Sequence, residues 1–342
     1  MYTKKLALLG FGNAGQAFAK MLLKKHEEIK SLYGYDVIVT AIATNSKGNI
    51  VNANGINLAE ALNDIEKCGK FCNENELTSN STMDIVQRAD YDVLIEMTPL
   101  NIFTGQPAIE HIENAFRRKK DAVTANKGPI AWKFKELCNM AKEYGVKFFY
   151  ETTVMDGTPV FNLTEKTLQL AKVTEVSGIL NSTTNFILEE LAKGKDYEDI
   201  MARGRQMGFI EADPAMDIEG YDAAAKITAL LNVLMDANIT PDMVDRKGIE
   251  DITIEDIKAA DARGNVIKLL CKGTRTEDGL VKAAVKPEEV PKGDMLASID
   301  STTSIVSITT DLMKTVSVVE HQPEIEQTAY GIFGDVLRVL SE

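Results

Sequence analysis

The chain has 342 residues, 44% hydrophobic and 26% charged, and its 51 acidic against 38 basic side chains leave a net charge of −13. At about 100–200 residues per domain, that length predicts two domains, each able to bury its own core. The acidic balance argues against a nucleic-acid partner and against an anionic membrane surface, because both need a concentrated basic face. The densest basic run, Arg117-Arg118-Lys119-Lys120, falls where a helix should end and complements the helix dipole there. No apolar stretch reaches the roughly 18 residues that cross a bilayer, and the first residues lack the apolar region of a secretory signal. Cys68, Cys72, Cys138 and Cys271 are too few for a disulfide scaffold, and His26, His111 and His321 do not make a histidine-rich metal centre. Reduced thiols and a cytoplasmic location are expected.

In chain order, residues 5–9 form a short apolar run and residues 14–31 carry helical periodicity. Residues 36–43 are β-branched and apolar, as in a strand buried on both faces, and residues 91–96 repeat the pattern. A helix is predicted over 107–119, strands over 122–124 and 146–150, and a helix over 132–144 between them. This alternation predicts a parallel, doubly wound sheet over residues 1–150. Beyond Glu151 the spacing changes. Strands are predicted over 173–180, 282–285, 304–310 and 315–319, with helices over 186–193, 197–207, 221–237 and 328–340. Without regular β-α-β spacing, residues 151–319 read as an α+β domain.

Gly10-Phe11-Gly12-Asn13-Ala14-Gly15 follows the first strand and opens the first helix. Gly10 permits a tight turn, Gly12 lets backbone approach a pyrophosphate, and Gly15 allows close helix–strand packing. The helix start supplies amide donors for the anion, with Asn13 and Ala14 in its first turn. The first domain is therefore Rossmann-like and expected to bind a dinucleotide. After the second strand, Thr44-Asn45-Ser46-Lys47 holds no carboxylate to accept from a free ribose 2′-hydroxyl. Asn45, Ser46 and Lys47 offer donors and a positive charge, which favours NADP while leaving NAD open.

Three polar clusters follow. Thr124-Ala125-Asn126-Lys127-Gly128-Pro129 comes directly after a strand, at the end of a doubly wound sheet where ligands bind. Five carboxylates, Glu211, Asp213, Asp217, Glu219 and Asp222, precede an apolar helix in which Asp222 and Lys226 share a face. A lysine in so apolar a helix requires a partner or ligand, since a buried unpaired ammonium is costly. Finally, Asn181-Ser182-Thr183-Thr184-Asn185 links a strand to a helix that Thr183 or Asn185 could cap.

In this order the clusters, together with Glu151-Thr152-Thr153-Val154-Met155-Asp156-Gly157-Thr158-Pro159, resemble the homoserine dehydrogenases over essentially the whole chain. The resemblance implies a nucleotide-binding domain, a catalytic and dimerisation domain, a C-terminal segment, residues 320–342, returning to the first, and NAD(P)-dependent interconversion of L-homoserine and L-aspartate 4-semialdehyde by a homodimer. No regulatory domain is expected beyond the last residue. Lys127 and Lys226 match the family's two active-site lysines. Glu211, Asp217 and Asp222 match its acidic substrate positions, and Thr183 is placed with them. Thr98, Pro99, Asn126 and Lys127 itself should lie against the cofactor. Glu151, by side chain, and Val154, Asp156 and Thr158, by carbonyl, match a loop that holds a monovalent cation such as sodium.

Four departures accompany the resemblance. Ser182 stands where glycine is usual, Phe209 replaces a common tyrosine, Asp156 replaces a small residue, and the acidic segment 320–326 replaces a glycine-rich loop. They leave open an NAD(P)-dependent oxidoreductase acting on another small amino or hydroxy acid, or a dinucleotide-binding protein without turnover.

Overall fold

The structure is a computed structural model that describes residues 2–207, 210 and 213–342. It divides into two compact units, one running to Pro159 and completed by Glu324–Glu342, the other Val160–Pro323.

In chain order the first unit holds β1 (Tyr2–Leu9), α1 (Asn13–Tyr33), β2 (Tyr35–Ala43), β3 (Asn49–Val51), α2 (Leu58–Cys68), β4 (Leu77–Thr78), α3 (Thr82–Arg88), β5 (Val93–Glu96), α4 (Ala108–Arg117), β6 (Asp121–Thr124), α5 (Lys127–Tyr144) and β7 (Phe148–Phe149). The strands lie in the order β4-β3-β2-β1-β5-β6-β7. The five strands β2, β1, β5, β6 and β7 are parallel, and β3 and β4 add an antiparallel edge. Alternation along β1 explains the double winding. Leu6 and Leu8 point into a core shared with Phe18, Ala19 and Leu22 of α1. Ala7 and Leu9 point into the opposite core with Ile112 and Phe116 of α4 and Leu137 of α5. Both faces must be apolar, so the strands read as unbroken hydrophobic runs.

The second unit holds α6 (Phe161–Thr167), β8 (Val173–Ile179), α7 (Ser182–Ala192), α8 (Tyr197–Gln206), α9 (Ala215–Ile218), α10 (Tyr221–Met235), β9 (Asp245–Arg246), α11 (Ile254–Ala262), β10 (Asn265–Arg275), β11 (Val281–Pro291), β12 (Ser304–Thr310) and β13 (Lys314–Glu320). Its sheet runs β13-β12-β8-β10-β11-β9 and is antiparallel except between β11 and β9. The apolar body of α10, including Ile227, Leu230 and Leu231, is fully buried.

The chain ends in α12 (Ile325–Ser341), which belongs to the first unit. Residues 151–159 also belong there, so the division falls at 159/160 and 323/324 rather than at 150/151 and 319/320. The reason is close packing. Glu151 N–H donates to Asp335 Oδ2 of α12 at 2.8 Å, and a Cβ on Gly331 would sit 2.6 Å from Gly157 Cα.

Two helices start earlier than periodicity alone predicts. Helix α5 begins at Lys127 because the Asn126 side chain accepts from Gly128 N–H at 2.9 Å, and it kinks at Lys133. Helix α7 begins at Ser182 because Asn181, not Thr183 or Asn185, is its cap and accepts from Thr184 N–H at 2.9 Å. The basic run does terminate α4. Arg118 then donates to the carbonyls of Val86 and Ala89 and lies over the Tyr91 ring.

Candidate active site

In the first unit, β1 delivers the glycine turn to the point where its two parallel neighbours, β2 and β5, diverge in chain order, the usual ligand crevice of such sheets. Gly10 has φ +101°, and a Cβ there would sit 2.4 Å from the Met97 carbonyl oxygen. A Cβ on Gly15 would meet the Gly10 carbonyl oxygen at 2.7 Å, whereas one on Gly12 would meet nothing within 4 Å. Helix α1 has no side-chain cap and no acidic residue in its first turn, where Asn13 and Ala14 lie. Open space over uncapped first-turn amides suits a pyrophosphate. Phe11, buried inside this turn, packs on Phe71 with ring centroids 5.6 Å apart, a pair that the glycine pattern does not reveal.

The turn after β2 is rigidly tied. Thr44 N–H donates to Asn49 Oδ1, and Thr44 Oγ1 accepts from Lys47 N–H while donating to the Gly48 carbonyl. Asn45 and Ser46 are exposed and Lys47 is half-buried, while the Lys47 carbonyl accepts from Phe71 N–H at 2.9 Å.

At the ends of β5 and β6, Glu96 is completely buried and accepts from Thr98 Oγ1. Asn126 Nδ2 donates to the Thr98 carbonyl at 3.0 Å, which joins the Thr98-Pro99 turn to the cap of α5 and so to Lys127, its first residue. His111 Nδ1, also buried, lies 3.5 Å from Glu96 Oε1. This Glu96–His111 contact was not foreseen. A lone histidine on the buried face of α4 carries no sequence signal of a partner on a distant strand.

Glu151 and Asp156 lie on two successive 3-10 turns, Glu151–Thr153 and Met155–Gly157, with Val154 between the turns and Thr158 directly after the second. Asp156 has φ +47°, a left-handed conformation that explains why small residues suit the position and why aspartate is tolerated. Its Oδ1 accepts from Thr328 Oγ1 at 3.1 Å.

In the second unit, the carboxyl end of β8 and the start of α10 build a polar cluster. Asn181 Nδ2 donates to Asp217 Oδ1 at 2.6 Å and to Asp222 Oδ2 at 2.9 Å. Lys226 Nζ lies 2.9 Å from Asp222 Oδ2 and donates to the Leu180 carbonyl at 2.8 Å. Thr183 is buried, with its hydroxyl near Asp217. Burial first, then repulsion from Asp222, pushes the Asp217 carboxyl above the ordinary aspartate range, against the pull of Asn181, Lys226 and Thr183. Arg246 lies over the Tyr221 ring at 3.6 Å and donates to the Glu219 carbonyl, which fixes the entry to α10. Ser182 takes helical backbone, so no glycine is required there. Glu211 and Phe209 lie outside the described residues. Beyond capping α7, Asn181 gathers two of the predicted carboxylates, a role that a cap position in the sequence does not signal.

A doubly wound unit with a pyrophosphate-ready glycine turn, combined in one chain with a unit carrying a lysine–carboxylate cluster, defines the class of NAD(P)-dependent oxidoreductases. Residues 10–151 match the family model described as homoserine dehydrogenase, NAD binding domain, and residues 159–337 match that described as homoserine dehydrogenase. The chain is 38% identical to the homoserine dehydrogenase of Methanocaldococcus jannaschii over 98% of both chains. It is 32% identical to the NAD(+)-dependent homoserine dehydrogenase of Pseudomonas canavaninivorans, over 98% of this chain and 96% of that one. Among solved structures, a hyperthermophilic archaeal homoserine dehydrogenase in complex with NADPH aligns with a TM-score of 0.84 at 26% identity, covering 98% of this chain and 97% of the other. The chain belongs to the homoserine dehydrogenase family.

Proposed function

We infer that this chain catalyses the NAD(P)-dependent interconversion of L-homoserine and L-aspartate 4-semialdehyde. Alongside the family membership, the observation that carries the reading is the cluster at the end of β8. Asp217, Asp222 and Lys226 together carry one net negative charge, the sign that attracts a substrate ammonium group. We assign Asp217 and Asp222, with Glu211 and the Thr183 hydroxyl, to holding the substrate's α-amino end, which orients its fourth carbon for reaction.

The bound nicotinamide supplies the hydride acceptor or donor. Gly10, Gly12, Asn13, Ala14 and Gly15 are assigned to its pyrophosphate, Asn45, Ser46 and Lys47 to the adenosine ribose, and Thr98, Pro99 and Asn126 to the nicotinamide end. NADP is favoured because no carboxylate occupies the 44–47 turn. Proton transfer at the substrate oxygen is assigned to Lys127 and Lys226. In the reductive direction an ammonium polarises the aldehyde and protonates the alkoxide; in the oxidative direction an amine takes up the hydroxyl proton. Asp222 and the Leu180 carbonyl hold the Lys226 ammonium in place for that task. Glu151 by side chain, and Val154, Asp156 and Thr158 by carbonyl, are assigned to a monovalent cation such as sodium. We also propose a homodimer.

The test is NADPH oxidation with aspartate semialdehyde, followed by absorbance. Lys127→Ala and Lys226→Ala should each lower kcat about 10²–10⁴-fold, the range expected for loss of a general acid–base group. Dinucleotide affinity, measured by fluorescence, should stay within about threefold, less than 1 kcal/mol. Wild-type turnover in either variant would remove that lysine from the mechanism. Oxidation of NADPH with other carbonyls but not with the semialdehyde would overturn the substrate.

A further inference from the structure

Lys268 is on β10, away from the cluster just described, and only 4% of it is exposed. Its ammonium donates to Asn185 Oδ1 at 2.8 Å and to the Ile299 carbonyl. Both partners are neutral, and no carboxylate among the described residues forms an ion pair with it. Glu189 and Asp300 act on it from a greater distance. Burial accordingly holds its pKa below the ordinary lysine range. An ammonium has three donors, and two are committed here.

Lys268 lines a cavity of about 490 Å³ in the second unit, a size that accommodates a small organic ligand. Leu188 and Leu191 of α7, Ile257 of α11 and Val266 of β10 supply apolar wall and Glu189 is half-buried in it, while Asp300, Lys258 and Asp261, which pairs with Lys292, are exposed at its edge. The lining thus carries three carboxylates against two ammoniums, and Lys268 is the buried cation among them. The net negative lining disfavours a plain anion, and Lys268 disfavours a plain cation at the inner end. A zwitterion with an apolar body satisfies both.

We propose that this cavity binds an aliphatic α-amino acid, with its carboxylate on Lys268, its ammonium toward Asp261 and Asp300, and its side chain against Leu188, Leu191, Ile257 and Val266. Helix α7 links this site to the polar cluster. Asn185 accepts from Lys268, and one turn earlier Asn181 holds Asp217 and Asp222. A carboxylate that draws on Lys268 changes the load on Asn185, so occupancy alters the KM for homoserine. That coupling rests on the proposed reaction; binding itself does not.

Titration calorimetry on the full chain with L-leucine as probe tests the site. Saturable binding of one leucine per chain is expected at millimolar concentration or below. L-Leucinamide, which lacks the carboxylate, and 4-methylpentanoate, which lacks the ammonium, should each bind at least about tenfold more weakly. Lys268→Met should weaken leucine about tenfold or more. So should Ala262→Trp, which plugs the cavity from an exposed position and leaves the core intact. Saturating homoserine should not displace leucine but should shift its affinity by the factor with which leucine shifts homoserine binding, because the coupling is reciprocal, and leucine should shift the homoserine KM in the wild type but not in Lys268→Met. No heat with leucine, full affinity in both variants, or displacement by homoserine would each overturn the site. Binding with an unmoved KM would overturn the coupling alone. Absence of homoserine turnover, with leucine still bound, would count against the reaction and not against this cavity.

Discussion

Asp217 and Asp222 share the amide of Asn181, and that sharing decides how the site titrates. Asp217 is raised by burial and by its like-charged neighbour, so in the folded protein it takes up a proton at a higher pH than an ordinary aspartate does. As pH falls, a raised carboxyl loses its charge sooner than an ordinary one. The acidic limb of kcat/KM for homoserine should therefore lie above the ordinary aspartate range of about 3.9. In Asp222→Asn, removal of the like charge should move that limb toward lower pH, which a pH–rate profile will show. An Asp217→Asn variant that keeps the limb in place would refute the assignment. For stability the sign is opposite to that of a salt-bridged acid. The contribution of Asp217 is present below its unfolded pKa and is lost as pH rises through the higher folded value. At this scale the sequence displayed the acidic run and Lys226 plainly, because their types and spacing are local. It did not display Asn181 as their hub or Leu180 as the carbonyl that holds the lysine, since both depend on β8 ending beside α10.

Short edge strands and a lysine hidden in a strand account for the strands that periodicity missed. Strands β3 and β4 are only three and two residues long, too short for any alternation to register. Strand β10 carries Lys268 at a buried position, which breaks the apolar pattern that announced β11 beside it. Helix α12 shows what packing alone demands of an element. Its Gly331 approaches Gly157 so closely that a Cβ would also lie 2.5 Å from Thr152 Oγ1. Gly331→Ala should therefore destabilise the first unit by about 1–3 kcal/mol, as overpacking does. A lowered first thermal transition is the expected readout, and an unchanged melt would show that α12 shifts without cost. Because α12 packs on the 3-10 turns that carry Glu151 and Asp156, sodium or potassium dependence of turnover should weaken in the same variant.

Across the whole molecule, binding and stability are linked. A dinucleotide that binds only the folded first unit stabilises it by about 2.7 kcal/mol at a hundred times its Kd. NADPH should raise the first unit's melting temperature more than NADH at equal concentration. Lys47→Glu, which places a carboxylate in the ribose turn, should reverse that order; an unchanged order would mean that Lys47 takes no part in choosing the cofactor. Sedimentation equilibrium should give twice the 37.6 kDa chain mass if the proposed homodimer forms.

From its sequence alone, the molecule's division into a β-α-β half and an α+β half was readable, as were the glycine turn and the lysine–carboxylate run. These follow from patterns within a few residues, where hydrophobic period, glycine freedom and charge spacing act directly. Only the tertiary structure decided that Asn126 starts α5, that Asp156 is usable in a left-handed turn, that Glu96 meets His111, and that Lys268 is buried beside a cavity. Each of these depends on backbone and side chains brought together from distant parts of the chain, and close packing, unlike periodicity, leaves no local trace.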